Sequence, residues 1–294
     1  MVILNYFVYL ILRLLGLISQ KLNRKQRSYW GFIVGDILRI LSSHRESITL
    51  ENIRKSFPEK SYSVHRNIMR DAYRNLGITL MELLALGKMD EKEVRDYIKY
   101  DNIELINELY EKGNGVILLS GHFGNWELLA YSAGLFSKIP VTVIVKNQKN
   151  KFANKHLDEY RRSGGNDTVP MKKAARKIVS CLRNGEAIAL LADQSASKEK
   201  DIFVDFFGRP ASTFATPAAL SLKFDVPLIM GFAVRQEDFT YRVKLREIKK
   251  DDLTDSSEDI KELTQRHVKE LENEIRGNPG LWSWQHRRWK YEPK

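Results

Sequence analysis

The chain opens with a stretch in which nearly every residue is apolar. Residues 2–19 read VILNYFVYLILRLLGLIS, which is close to the shortest length for a helix that crosses a bilayer. A narrow polar stripe runs along its helical wheel, formed by Asn5, Tyr9, Arg13, Gly16 and Gln20. The pattern predicts a membrane-anchoring helix that either spans the bilayer or lies in its interface with the stripe packed on the protein.

Apolar residues then recur at helical spacing up to about residue 90. Residues 28–56 are predicted to form a helix, and one side of it carries Trp30, Ile33, Ile37, Ile40 and Leu41. The pair Phe57-Pro58 breaks this helix. A second long helix is predicted from Ser61 or Ser63 to about Leu86, with Gly87 at its end.

Short apolar runs alternate with amphipathic segments in the rest of the chain. The predicted strands are 115–120, 141–145, 187–192 and 227–234, with an alternating edge strand at 241–248. The predicted helices are 104–111, 126–135, 152–162, 172–183, 216–224 and 257–275. This alternation predicts an α/β fold with a largely parallel central sheet flanked by helices. We expect an anchor with its basic flank at 1–27, a helical region packed on the core at 28–90, and the α/β core at 91–294.

The charge balance narrows the kinds of partner. The formal net charge of +11 over 294 residues favours an acidic partner, which can be an anionic membrane, a phosphorylated substrate or nucleic acid. Basic residues directly follow the anchor, at Lys21, Arg24, Lys25 and Arg27, and suit anionic head groups on the cytoplasmic side. The single cysteine, Cys181, excludes an internal disulfide and is expected to be a buried thiol.

The most informative segment follows the strand at 115–120, where the sequence reads Gly-His-Phe-Gly-Asn-Trp-Glu. Reacting groups collect beyond the carboxyl ends of strands in open α/β sheets, and His122 stands there. Asn125 is a good N-cap for the next helix and places Glu127 in its first turn. We expect the His122 ring to meet the Glu127 carboxylate, which would orient it as a general base. An isolated pair of this kind is more often a surface hydrogen bond, but here it follows a buried strand.

Further polar and aromatic candidates accompany this pair. Arg161, Arg162 and Lys146 are the cations that chain order brings nearby to stabilise an oxyanion. Asp193 and Gln194 end a buried strand on the same side as His122, where they position an acceptor or cap a loop. Phe207 belongs to an aromatic cluster around Gly208 that lines an acyl-chain groove or is plain core.

The C-terminal segment interleaves aromatic and basic residues, including Arg287 and Arg288. Such a pattern suits nucleic acid, or a membrane-interface belt with phosphate clamps. No nucleic-acid-binding module is visible, so we expect no nucleic-acid partner. Histidines do not cluster at metal-ligand spacing and no phosphate-cradling glycine loop is present, so neither a metal nor a cofactor is predicted.

Several blocks together resemble a known family across nearly the whole chain. The blocks are Asn52 to Pro58, Tyr73 to Glu82, Gly121 to Leu128, Lys146-Asn147, Arg161 to Gly165, Ala192 to Gln194, Val204 to Thr213 and Trp284 to Lys290. They look like the late acyltransferases of lipid A biosynthesis, of the lauroyl/myristoyl type, within the glycerolipid acyltransferase superfamily. The family's fold and chemistry then become expectations for this chain.

The resemblance implies an O-acyltransferase that forms no covalent acyl-enzyme, with His122 as the base, Glu127 as the carboxylate and Arg161 as the oxyanion-stabilising arginine. It implies acyl-carrier-protein or coenzyme A thioesters as donors and a lipid A precursor glycolipid as acceptor, at the inner membrane. The expected substrate-binding residues are Asn125, Lys146, Asp193, Gln194, Phe207, Arg287 and Arg288. Two alternatives remain: the same chemistry on a phosphoglycolipid, aminolipid or pigment precursor, or a non-catalytic membrane or nucleic-acid scaffold.

Overall fold

We describe the protein from a computed structural model that covers residues 2–112, 115–137, 139–196 and 201–291. The helices are α1 Val2–Ser19, α2 Arg24–Leu41, α3 Ser43–Ser56, α4 Tyr62–Leu86, α5 Glu91–Tyr97, α6 Glu104–Glu111, α7 Trp126–Phe136, α8 Lys151–Arg162, α9 Ala174–Arg183, α10 Thr216–Lys223 and α11 Ser257–Gly277. Single turns of 3-10 helix occur at Met171–Lys173 and Pro279–Leu281.

The strands form three sheets. They are β1 Ile98–Tyr100, β2 Val116–Ser120, β3 Val141–Val145, β4 Asp167–Pro170, β5 Ala187–Leu191, β6 Asp201–Phe206, β7 Arg209–Phe214, β8 Leu228–Met230, β9 Ala233–Arg235, β10 Tyr241–Val243 and β11 Arg246–Glu247. The central sheet has the order β11-β8-β2-β5-β3-β4, in which β11 is antiparallel and the other neighbours are parallel.

The prediction of an α/β fold is confirmed, but the sheets are mixed. Antiparallel pairs occur between β9 and β10, between β6 and β7, and at the β11 edge. The segment predicted as one strand at 227–234 divides after Met230, so β8 joins the central sheet and β9 a small one. The segment 241–248 divides in the same way into β10 and β11. Local alternation cannot reveal such a division, because it does not show which neighbouring strand each half of a segment pairs with.

The first helix lies lengthwise on the protein, along α8 and the end of α4. Most of its polar stripe faces inward: Gln20 Nε2 donates to the Leu84 carbonyl at 3.2 Å, and the Tyr9 ring contacts Phe152 and His156. Arg13 of the stripe is exposed and donates to the Tyr9 hydroxyl at 3.1 Å. The opposite side is apolar and exposed. Within the described part of the chain, α1 alone is long and apolar enough to cross a membrane.

The predicted helix at 28–56 is two helices, because Ser42 leaves the helical conformation with φ −121° and ψ 48°. Helix α2 packs on α4 through glycines. A methyl group on Gly77 would come within 2.1 Å of the Gly31 carbonyl oxygen, so the two backbones touch. Helices α2 to α4 therefore form a layer that is attached to the core through α4 and Asn52, whose Nδ2 donates to the Trp284 carbonyl at 2.8 Å.

Candidate active site

Two neighbouring parallel strands bring the polar residues of the site together. Strand β2 ends at Ser120 and β5 at Leu191, and these two residues are partners in the register. The segments that follow carry His122 and Asp193, which therefore leave the same edge of the sheet side by side. The sequence predicted this edge as the site, and the structure places both residues there.

Asp193 is the hydrogen-bond partner of the His122 ring. The Nδ1 atom of His122 lies 2.8 Å from Asp193 Oδ1, and the His122 backbone N–H donates to Oδ2 at 2.8 Å. The Trp282 indole N–H also donates to Oδ2, at 2.9 Å. The His122 side chain is 26% exposed and that of Asp193 only 2%. The geometry thus binds Nδ1 to the carboxylate, and Nε2 is the ring nitrogen that is not bonded to Asp193.

This pairing shifts the pKa values of both groups. Burial works against the charged imidazolium of His122, but attraction and hydrogen bonding to Asp193, aided by Glu127, raise its pKa above the ordinary value. Burial works against the ionised Asp193 too, and the His122 partner outweighs it, so the pKa of Asp193 is lowered. A base with a raised pKa and one free nitrogen is suited to accept a proton from a hydroxyl group.

The loop that carries His122 requires a glycine at position 124. Gly124 has φ +57°, and an added Cβ would lie 1.7 Å from the Ala233 carbonyl oxygen. Its own carbonyl accepts hydrogen bonds from Asn75 Nδ2 and Thr79 Oγ1, which lie on α4. The His122 carbonyl accepts from the backbone N–H of Ser283 at 2.9 Å. The loop is therefore held between α4 and the C-terminal segment.

Glu127 does not orient the His122 ring, contrary to the prediction from the sequence. It lies in the first turn of α7 and forms a two-pronged ion pair with Arg161 of α8, with N–O distances of 2.6 and 2.8 Å. Both side chains are largely buried, at 13% and 15% exposed. The Glu127 carboxylate points across to α8. Asp193 reaches the His122 ring directly, because it follows the neighbouring strand β5.

Asn125 has a structural role in place of the predicted contact with substrate. Its Oδ1 accepts from the Leu128 N–H and so caps α7, while its Nδ2 donates to Glu82 at 2.6 Å. Glu82 is fully buried and also accepts from the hydroxyl groups of Tyr97 and Tyr241. Burial raises the pKa of Glu82, although these donors act against the shift. The network ties the start of α7 to α4, α5 and β10.

Two other predicted binding residues belong to the core. Phe207 is 6% exposed and packs edge-on against Phe57 with ring centroids 5.3 Å apart, so it is core and does not line a groove. Arg288 is 1% exposed and donates to the Ser212 carbonyl and to Thr213 Oγ1 at 2.6 Å. This arginine anchors the C-terminal segment on β7 and is not placed to bind a substrate.

The remaining candidates lie at the surface near the site. Lys146 follows β3, is exposed, and is close enough to lower the pKa of His122 slightly. Gln194 lines a cavity of about 290 Å³ together with Ser283, Gln285 and His286. Arg287 is exposed and lies on a second cavity, of about 390 Å³, between α3 and the C-terminal segment.

Reasoning from the sequence missed several residues that shape the site. Trp282 was not singled out as a partner of Asp193, and Glu82 was not recognised as a buried carboxylate. His286 accepts a hydrogen bond from the Ser195 N–H at 3.1 Å, and burial lowers its pKa to about 4. A carboxylate in the middle of an otherwise apolar helix face was the one signal that pointed to Glu82.

The sheet edge carries a histidine bonded to a buried carboxylate, and among the described residues no Ser, Thr or Cys side chain is bonded to its ring. Such an arrangement is typical of enzymes that use a histidine as a base without a nucleophilic side chain. Comparison with known proteins identifies the family. The model of the bacterial lipid A biosynthesis acyltransferases matches residues 1–291, so the chain belongs to this family of acyltransferases.

Three relatives illustrate the range of the similarity. The lipid A biosynthesis palmitoleoyltransferase of Escherichia coli is 24% identical over 268 residues, which cover 90% of this chain and 85% of the relative. The lipid A biosynthesis lauroyltransferase of the same organism is 20% identical over 264 residues, with the same coverage of 90% and 85%. The phosphatidylinositol mannoside acyltransferase of Mycolicibacterium smegmatis is 25% identical over 149 residues, covering 48% of this chain and 47% of the relative.

Proposed function

We propose that the protein transfers a fatty acyl chain from a thioester to a hydroxyl group of a lipid A precursor glycolipid, with His122 as the general base. The observation that carries this proposal is the His122–Asp193 pair at the edge of the central sheet. Asp193 engages Nδ1, so Nε2 is the nitrogen that meets the substrate. This makes Asp193, rather than Glu127, the residue that orients the base.

In the proposed reaction, Nε2 accepts the proton of the acceptor hydroxyl while the oxygen attacks the thioester carbonyl carbon. A C–O bond forms and the carbonyl oxygen becomes an oxyanion. Collapse of this intermediate breaks the C–S bond, and the leaving sulfur takes the proton back from the imidazolium. Acyl transfer is then direct, with no covalent acyl-enzyme and no cofactor.

The oxyanion requires a donor, and Arg161 remains the proposed one. Glu127 engages the Nε and Nη2 groups of Arg161, so Nη1 is the nitrogen that can donate to a substrate. The Glu127 partner, which outweighs the opposing effect of burial, raises the pKa of Arg161 and keeps it charged. Lys146 is the second cation at this edge and can serve the same purpose.

A phosphorylated acceptor is supported by the cavity of about 390 Å³ beside the C-terminal segment, lined in part by His44, Lys55, Arg287 and Lys290. Glu51 of the same cavity pairs with Lys55, so Arg287 and Lys290 supply most of its positive charge. Such a site suits a phosphate or an acidic sugar. The overall charge of +11 also suits an acidic acyl-carrier-protein donor as well as the phosphates of coenzyme A.

A second acceptor class is favoured by one comparison. The chain shares 25% identity over 149 residues with a phosphatidylinositol mannoside acyltransferase. The chemistry at His122 would be unchanged with such a phosphoglycolipid, because only the groups that hold the acceptor differ. Acyl transfer to a lipid A precursor and to a phosphoglycolipid can be measured side by side to separate the two.

We further propose that the protein works at the inner membrane, with its core on the cytoplasmic side. The exposed apolar side of α1 supports attachment to a membrane. The exposed lysines that follow it, Lys21 and Lys25, support contact with anionic head groups on that side.

The test is acyl transfer by the detergent-solubilised protein from acyl-carrier-protein and coenzyme A thioesters to a phosphorylated glucosamine disaccharide lipid. We expect product from the wild type and a loss of about 10²–10⁴-fold in His122→Ala, the range typical of a lost general base. His156→Ala is the matched control, because His156 contacts α1 and Tyr160, away from the sheet edge. Equal rates in wild type and His122→Ala would refute the mechanism.

A further inference from the structure

Helix α2 presents bulky apolar side chains to the outside of the molecule. The exposed fractions are 64% for Tyr29, 42% for Trp30, 48% for Ile37, 66% for Ile40 and 78% for Leu41. Together with the half-buried Ile33, these residues form one continuous side of the helix, which we name the outer face of α2. Contiguous apolar surface of this kind marks an interaction site in a folded protein.

The inner side of α2 explains why the large residues point outward. Gly31 and Gly35 pack directly on α4, where added methyl groups would lie 2.5 Å from Ile78 and 2.4 Å from the Tyr73 carbonyl oxygen. Small residues therefore make the contact with the protein, and large apolar residues remain on the other side. This arrangement reverses that of a helix on a water-soluble core and is the one found in helices that face lipid.

The charges around the outer face fit an anionic surface. Asp36 is the only acidic residue in α2, and its carboxylate is bound by Arg74 of α4 at 2.8 Å. Lys25 lies exposed at the start of the helix, and Lys21 precedes it in the turn. The face thus combines apolar side chains with basic flanks, as helices that lie in a membrane interface do.

Helix α2 follows directly after α1 and lies next to it on the protein. Only residues 20–23 separate the two helices, and Asn23 caps α2 through a reciprocal pair of hydrogen bonds with Gln26. Both helices pack on α4, so their relative position is fixed by the protein. A bilayer that receives α1 is therefore adjacent to the first turns of α2.

We propose that the outer face of α2 is a second membrane-contact surface, which lies in the interface of an anionic bilayer beside α1. The occupant is a lipid surface, because lysines precede the apolar side chains and the one carboxylate of α2, that of Asp36, is bound by Arg74. Two contacts fix the tilt of the protein on the membrane. With α1 as the one contact, the whole protein could rotate about the axis of α1. The proposal concerns membrane geometry and is independent of the reaction at His122.

The test uses the full chain with a fluorescent label at single introduced cysteines. The only native cysteine, Cys181, is 0% exposed, so labelling of Ile37→Cys and Ile40→Cys has little background. The protein is reconstituted in phosphatidylethanolamine and phosphatidylglycerol vesicles that contain a lipid with a nitroxide on its acyl chain. Leu10→Cys on α1 is the positive control, and Lys261→Cys on the exposed side of α11 is the negative one.

We expect labels at positions 37 and 40 to be quenched as strongly as the label at position 10, and the label at position 261 to stay bright. Quenching at position 10 alone would overturn the proposal. Concentration-dependent self-quenching of labels 37 and 40 without nitroxide lipid would instead identify a second copy of the chain as the occupant. Because the readout needs no acyl transfer, its failure is distinguishable from failure of the proposed reaction.

A second variant tests the same surface without a label. Ile37→Ser combined with Ile40→Ser removes two exposed apolar groups that make no core contact, so the fold is expected to persist. Partitioning onto the same vesicles should weaken by about tenfold or more, since each tenfold corresponds to about 1.4 kcal/mol. Unchanged partitioning of the double variant would contradict a lipid-facing helix.

Discussion

Two charged pairs lie at the edge of the central sheet, and they differ in what their charges can do. The His122–Asp193 pair contains an imidazole, which can gain and lose a proton and whose pKa is raised above the ordinary value. The Glu127–Arg161 pair contains an arginine that stays charged at any working pH, and its two parallel hydrogen bonds fix geometry. One pair is therefore suited to move a proton. The other is suited to hold α7 and α8 together and to keep the charged Arg161 in a fixed position beside it.

The comparison shows that two residues of one short motif have separate partners. His122 and Glu127 are five residues apart in the chain, yet each is bound by a residue from another element, Asp193 after β5 and Arg161 on α8. The four side chains form two separate pairs and not one continuous network of hydrogen bonds. Substitutions at the two pairs should accordingly have different consequences for rate, stability and pH dependence.

The largest expected effect is on the proton-moving pair. In Asp193→Asn the amide cannot stabilise the imidazolium, so we expect kcat to fall by about 10²–10⁴-fold. The exposed Asp238→Asn is the control and should keep the wild-type rate. Steady-state kinetics with a fixed thioester and acceptor provide the measurement, with near-ultraviolet circular dichroism to verify the fold. A loss of only a few-fold would mean that Asp193 does not act on the base.

The second prediction concerns the Glu127–Arg161 pair. Arg161→Met leaves Glu127 as an unpaired, largely buried carboxylate, so we expect a loss of about 3 kcal/mol in the free energy of unfolding. The neighbouring Arg162→Met is a matched control, because that arginine is 49% exposed and its removal should cost at most about 1 kcal/mol.

Denaturant titration in detergent measures both variants. The double variant Glu127→Met, Arg161→Met should regain much of the stability, since no unpaired charge remains, while its turnover stays low. If the single and double variants were equally unstable, the pair would not be the source of the loss.

The third prediction concerns the support under this edge. Asn125→Ala removes the cap of α7 and one hydrogen bond to the buried Glu82, so we expect a loss of about 2 kcal/mol in stability. Ser256→Ala at the start of α11 removes a cap alone and should cost about 1 kcal/mol. Thermal unfolding compares the two, and an equal cost would argue against a contribution from the bond to Glu82.

The smallest expected effect is a set of shifts in pH dependence. His122 must be neutral to act as a base, so kcat/KM is full above its pKa and falls as the pH drops through a value above the ordinary one of about 6.5. Both carboxylates raise this pKa, Asp193 more than Glu127, so Asp193→Asn should move the acid limb to lower pH further than Glu127→Gln does. Lys146 lowers the pKa, so Lys146→Met should move the limb slightly to higher pH. Equal shifts from the two carboxylates would contradict the pairing.

Much of the fold follows from local pattern. The strands at 116–120 and 141–145 and the helices α7, α8 and α11 agree with the prediction within two residues, because their apolar spacing and caps are encoded in adjacent residues. The hairpin of β6 and β7 was not predicted, because polar and apolar residues do not alternate regularly along its two strands. The outward direction of Ile37 and Leu41 was also invisible, because periodicity identifies an apolar side without telling what covers it.

The sequence by itself determined the α/β class, the apolar first helix, and the motif that places His122 beyond a buried strand, since each depends on neighbouring residues. Only the tertiary structure decided which carboxylate meets the histidine, that Arg161 pairs with Glu127, and that Asn125, Phe207 and Arg288 are structural. Those outcomes depend on contacts between residues that are far apart in the chain: 34 positions for Arg161–Glu127, 71 for His122–Asp193 and 76 for Arg288–Ser212. Such contacts are set by strand order and helix packing, which local spacing does not encode.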